Sequence, residues 1–136
     1  MIYAVIDTNV LVSALLTSNI NSPTVKIINA LLDNDVTPLY NDEIIDEYKD
    51  VLNRPKFKFS KKTVNFYIKA IQQRGISTTR TQSDEVFPDP KDIVFYEVAM
   101  SKEDAYLVTG NIKHFPQKPI VVTPAEMLEI LQGRQI

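Results

Sequence analysis

The 136-residue chain has no cysteine, one histidine and three glycines. Without cysteine there is no disulfide, no thiolate-held zinc or iron–sulfur centre and no thiol nucleophile. That fits a reducing compartment. His114 alone cannot supply a two-histidine metal motif of the H-E-x-x-H kind within one chain. The few glycines form neither G-x-G-x-x-G nor a P-loop, and G-x-S-x-G is also missing. Met1–Leu16 is apolar but lacks a basic start, and Asp7 and Asn9 interrupt it, so it does not read as a signal peptide. The longest uncharged run, Thr8–Val25, holds Asn19, Asn21, Ser22 and Pro23, which mark a turn rather than a membrane span. A cytoplasmic protein with no membrane partner is expected. Any chemistry must rest on carboxylates and hydroxyls.

What is present is a balanced composition, 44% apolar and 24% charged, as in a soluble globular domain. One domain over residues 1–136 is expected. Ile2–Ile6 reads as a buried strand. Helices are expected over Val10–Leu16, from Ser22-Pro23 to Asp33, from Asn41 to Leu52, and from Ser60 to Gly75. Further helices are expected from Asp89-Pro90 to Met100 and from the capping box Thr123-Pro124-Ala125-Glu126 to Leu131. Strands are expected at Val36–Tyr40, Ile76–Arg80, Ala105–Thr109 and Ile120–Val122. Short strands alternating with helices predict an α/β fold around a mostly parallel sheet. In such folds sites form beyond the carboxyl ends of the strands, where strand order reverses.

Asp7 directly follows the first strand, so it either caps the next helix or faces that sheet edge. In the helix Asn41–Leu52, Ile44, Ile45, Tyr48, Val51 and Leu52 form an apolar stripe. Glu47 is the acid nearest that stripe, while Asp46 and Asp50 fall on a solvated face. Asp89 and Asp92 open a helix that is apolar almost all round, which predicts a first turn deep in the molecule. Acids there are costly unless paired or bound to a cation. Thr109-Gly110-Asn111 ends a buried strand near the same edge as Asp7, with a plain β-turn as the bland alternative. Several carboxylates at one edge repel, and hard divalent cations such as Mg²⁺ or Mn²⁺ resolve that repulsion. Such a site suits phosphoryl chemistry.

Charge is unevenly spread. No acid occurs from Val51 to Ser83, and that stretch holds Arg54, Lys56, Lys58, Lys61, Lys62, Lys69, Arg74 and Arg80, eight of the 15 basic residues. Phe57, Phe59, Phe66 and Tyr67 lie between them. The segment reads either as a phosphate-tracking patch with an aromatic for stacking, or as a solvated helix face with Phe66, Ile68 and Ile71 in the core. The formal net charge of −2 therefore averages two opposite regions.

Ile6-Asp7-Thr8-Asn9-Val10-Leu11-Val12-Ser13-Ala14 resembles the opening of PIN domains. So do Asp46-Glu47-Tyr48, Asp89-Pro90-Lys91-Asp92 before an apolar helix, Tyr106-Leu107-Val108-Thr109-Gly110-Asn111, and Pro119-Ile120-Val121-Val122-Thr123-Pro124. The subgroup they most resemble is the VapC-related toxins. The resemblance implies a three-layer α/β/α sandwich carrying a Mg²⁺- or Mn²⁺-dependent endoribonuclease, the toxin of a toxin–antitoxin pair. It implies Asp7, Glu47 and Asp92 as catalytic metal-binding acids. Asn111 stands where many PIN domains have a fourth acid, and it offers a carbonyl oxygen without charge. Thr8, Asp89 and Thr109 are implied as supporting residues behind the ligands. Arg54, Lys56, Lys58, Lys61 and Lys62 are expected to guide RNA. A cognate antitoxin and a homodimer are expected partners. The alternative is a weakly active or non-catalytic RNA-binding module, because of Asn111. A haloacid-dehalogenase-like phosphatase would need a second Asp where Asn9 stands.

Overall fold

The structure is a computed structural model that describes residues 1–133; the last three residues of the expected domain lie outside them. Five strands are described: β1 (Tyr3–Ile6), β2 (Thr37–Tyr40), β3 (Ile76–Ser77), β4 (Tyr106–Val108) and β5 (Val121–Val122). They form one sheet in the order β3-β2-β1-β4-β5, and every pairing is parallel. Six α-helices are described: α1 (Thr8–Leu16), α2 (Pro23–Leu32), α3 (Asp42–Leu52), α4 (Lys61–Arg74), α5 (Ile93–Met100) and α6 (Pro124–Gly133). This is the expected α/β/α architecture with a parallel sheet.

β1 is central because Ala4, Val5 and Ile6 are all buried, as a strand covered on both faces requires. The chain builds β2 and β3 on one side of β1, then crosses to build β4 and β5 on the other. The order thus reverses between β1 and β4. Asp7 and Thr109 are the residues that follow those two strands. α5 is apolar almost all round and packs across β1, β2 and β4, burying Phe95 to Ala99. α3 is amphipathic and buries Ile44, Ile45, Tyr48 and Leu52. The Tyr48 hydroxyl donates to the Ile6 carbonyl, tying α3 to the end of β1.

Local chemistry sets the helix starts. The Asn41 side chain accepts from Ile44 N at 2.9 Å, and Ser60 Oγ accepts from Thr63 N at 3.1 Å. Thr123 and Glu126 form a reciprocal capping box at 2.9 and 3.1 Å. At Gly75 a Cβ would sit 2.4 Å from the Pro38 carbonyl oxygen, so only glycine lets α4 end against β2.

Four local expectations change. β3 ends at Ser77 rather than Arg80, because the chain leaves the sheet to bring Arg80 to two acids described below. Asp89 opens a 3₁₀ turn, Pro90–Asp92, and α5 proper begins at Ile93. Its first turn is half-buried at a cleft rather than deep in the molecule, and burial becomes complete only from Phe95. Phe66 is 55% exposed, while Ile68 and Ile71 are in the core.

Candidate active site

The switch point opens into a cleft of about 940 Å³. Asp7, Thr8 and Asn9 reach it from the end of β1, and Glu47 from α3. Asp89 and Asp92 reach it from the turn before α5, and Asn111 from the turn after β4. The four positions implied as metal ligands therefore line one cavity, although Asp7 and Asn111 are 104 residues apart in sequence. Asp46 and Asp50 are exposed, yet they line the same mouth rather than only a solvated face.

Asp7 is 6% exposed. Its Oδ2 accepts from Thr109 Oγ1 at 2.8 Å and from Asn9 Nδ2 at 3.2 Å. Burial pushes its carboxyl up to about 6. The nearby Asp92 and Glu47 push the same way, against the Thr109 hydroxyl and the Thr8 backbone. Glu47 is half-buried and accepts from Thr8 Oγ1 at 2.5 Å. Asp92 is also raised, first by burial and then by Asp89, with His114 opposing. Burial, with Asp7 and Glu47 near, keeps the Tyr48 phenol protonated. Asn111 N donates to Thr109 Oγ1 at 3.0 Å, and Gly110 N donates to Asn9 Oδ1 at 3.1 Å. Thr8 and Thr109 thus each hold one carboxylate. Asp89 is exposed and accepts from Lys91 N at 3.0 Å.

The donor chemistry fits a hard divalent cation: several carboxylate oxygens, one amide carbonyl and no sulfur. Asp7 is the strongest observation for it. It is a buried acid whose side-chain partners are a hydroxyl and an amide, and the other acids nearby raise its energy further. Among the described residues no three Asp, Glu or His side chains stand close enough to enclose an ion as they are. Each acid is turned to its own partner, Glu47 to Thr8 and Asp92 to within 3.6 Å of His114 Nδ1.

The basic segment separates into parts. Arg54 lines the cleft and pairs with Asp50 at 3.1 Å. Lys56, Lys58, Lys61 and Lys62 are exposed and are not part of the cleft lining. Arg74 Nε donates to the Leu32 carbonyl at 3.1 Å. Arg80 is engaged by Glu43 at 2.8 Å and by Glu97 at 2.7 Å, so its charge is already matched inside the fold.

Lys91, His114 and the apolar Val12, Leu16 and Val51 also line the cleft and were not expected there from the sequence, whereas Phe57 belongs to the aromatics read as able to stack within the basic segment. His114 carried one signal, since it is the chain's sole histidine and stands three residues after Asn111. The 3₁₀ turn Ile112–His114 is what delivers it to Asp92.

Fold and cleft define an α/β protein with a carboxylate-lined site at the switch point of a parallel sheet. A family model described as PIN domain matches residues 3–113, and the chain belongs to the PIN-domain family. PIN domains are in general nucleases and typically use divalent metals. No curated protein and no solved structure matches the chain significantly. Among the described residues no helix is long and apolar enough to cross a membrane.

Proposed function

We propose that this PIN domain is a Mg²⁺- or Mn²⁺-dependent endoribonuclease. The observation that carries the reading is Asp7: a buried carboxylate at the switch point, raised to about 6 and facing one cleft with Glu47 and Asp92. Asp7, Glu47 and Asp92 would hold the cation, and Asn111 offers a carbonyl oxygen. When bound, the cation supplies an activated water and stabilises charge at the scissile phosphate. The chain's own residues prepare the site. Thr109 and Asn9 hold one Asp7 oxygen, and Thr8 holds Glu47, which restrains both acids at the cleft. The buried setting strengthens each electrostatic contact made there. Exposed Lys56, Lys58, Lys61 and Lys62 would steer the RNA backbone toward the mouth.

The test is cleavage of single-stranded RNA in Mn²⁺, with and without EDTA, by wild type and Asp7→Asn. Cleavage that needs the metal and Asp7 supports the reading. Equal cleavage by metal-free protein or by the variant sinks it. The toxin role, with its antitoxin and dimer, rests on the resemblance to VapC-related toxins, and the cytoplasmic setting rests on the sequence reading alone. A small antitoxin-like reading frame next to the gene would support it, and expression that leaves growth unaffected would count against it.

A second reading, a weakly active or non-catalytic RNA-binding module, is favoured by Asn111 and by the separated acids. It predicts strongly salt-dependent RNA binding with little or no cleavage at any metal concentration.

A further inference from the structure

The cleft wall is lined by two kinds of side chain: carboxylates, and the apolar Val12, Leu16, Val51 and Phe57. The acids and a cation account for a phosphate, but they give no reason for apolar side chains in the same lining. Leu16 is 56% exposed and Phe57 is partly exposed, so these apolar groups are open to solvent rather than core. Phe57 ends a 3₁₀ turn, Pro55–Phe57, and Lys58 behind it takes the left-handed conformation with φ 58°. The Phe57 ring stacks on Phe59 at 5.5 Å and 12°. Phe59 in turn packs against the core, so the pair is a backed platform rather than a loose side chain.

The cations around Phe57 suit a nucleotide, although Arg54 is also paired with Asp50. Lys56 and Lys58 flank it in sequence, Lys56 Nζ lies 5.0 Å from its ring centroid, and Arg54 shares the cleft. Aromatic rings between cations suit a strand whose bases are unpaired: the ring takes the base face and the cations take the phosphates. A duplex cannot present a base face there, because its bases are stacked inside.

We propose that Phe57 is the platform for an unpaired nucleobase next to the scissile phosphate, with Lys56 leaving the ring face to meet the backbone. The inference rests on the nuclease reading and narrows its substrate to single-stranded or looped RNA. It makes Phe57 a binding and specificity residue that holds no metal.

The chain contains no tryptophan, so Phe57→Trp would place a single reporter on the platform. Its emission is followed while an eight-nucleotide oligouridine or oligoadenosine is added in calcium. Anisotropy of the labelled strand gives affinity for wild type, Phe57→Ala and Phe57→Trp. The expected result is quenching by both strands, and binding weakened about 5- to 100-fold by Phe57→Ala but little changed by Phe57→Trp. An abasic strand should bind wild type and Phe57→Ala alike and leave the emission unchanged. Wild type that binds no single strand, Phe57→Ala that binds as wild type does, or equal quenching by the abasic strand would overturn the proposal. So would emission that ignores RNA but responds to a basic, leucine-rich peptide, which would assign the wall to a protein partner. Quenching without manganese-dependent cleavage would sink the nuclease reading and keep the base platform. Cleavage with no quenching would do the reverse.

Discussion

Two carboxylates are buried to nearly the same depth, Asp7 at 6% exposure and Glu97 at 5%. Glu97 is answered from within the fold. Arg80 donates to it through Nε at 2.8 Å and pairs with it at 2.7 Å, and Ser83 N donates at 2.7 Å. Arg80 also grips Glu43, so one guanidinium joins α5, α3 and the loop after β3. Asp7 receives a hydroxyl, an amide and the repulsion of Asp92 and Glu47. A buried charge left without a countercharge is costly, and a fold that keeps one has another use for it. On the proposed function, the comparison separates an acid that closes the structure from an acid that waits for a cation.

Removing the waiting charge should have the largest effect, and in opposite directions. Asp7→Asn should lower Mn²⁺-dependent cleavage about 1,000-fold, roughly 4 kcal/mol of barrier. The same change should stabilise the metal-free protein at pH 8 in a urea titration. An Asn that lowers both activity and stability would break the contrast. Glu97→Ala should do the reverse. It removes one of the two carboxylate partners of Arg80 and leaves Ser83 N unpaired, and should cost about 2–3 kcal/mol of stability. Protein kept folded at low temperature should still respond to Mn²⁺.

Acidity sharpens the same contrast. The folded carboxyl of Asp7 lies at about 6, above its unfolded value, so the folded state binds the proton more tightly. That stabilisation is fully present below about pH 4 and is lost as pH rises through about 6. Metal-free stability should therefore fall by up to about 3 kcal/mol between pH 4 and pH 8 from this group. Asp7→Asn should remove that part of the slope, and Mn²⁺ should raise the unfolding temperature more at pH 8 than at pH 5. A slope unchanged in Asp7→Asn would mean another group titrates. The smallest expected effect is at Asn111. Asn111→Asp adds a carboxylate to the cleft and should raise Mn²⁺-dependent cleavage several-fold, about 1 kcal/mol. Unchanged cleavage would show that the position adds nothing to the ion's setting.

What the sequence made legible is what local chemistry decides. Asn41, Ser60 and Thr123 cap their helices within three residues of themselves. The buried runs at Ile2–Ile6 and Ala105–Thr109 place Asp7 and Asn111 at one sheet edge, since parallel strands end together. Glu47 was reachable by helical spacing. What escaped depends on segments meeting far from their neighbours in sequence. Arg80 read as a cation for RNA, because nothing near it reveals that Glu43 lies 37 residues back and Glu97 lies 17 ahead. His114 meets Asp92 through a 3₁₀ turn that the sequence does not announce. The apolar part of the cleft lining escaped in Val12, Leu16 and Val51, which look like core residues until the cleft between their elements is seen, while Phe57 was legible only as one of several aromatics in the basic segment.

The central claim is that Asp7 is buried in order to be neutralised by a cation from outside. Calorimetric titration of Mn²⁺ into wild type, Asp7→Asn and Glu97→Ala at pH 6 tests it most directly. Wild type and Glu97→Ala should bind the ion and release protons, while Asp7→Asn should bind it at least ten-fold more weakly and release fewer. Equal Mn²⁺ affinity and equal proton release in wild type and Asp7→Asn would contradict the account.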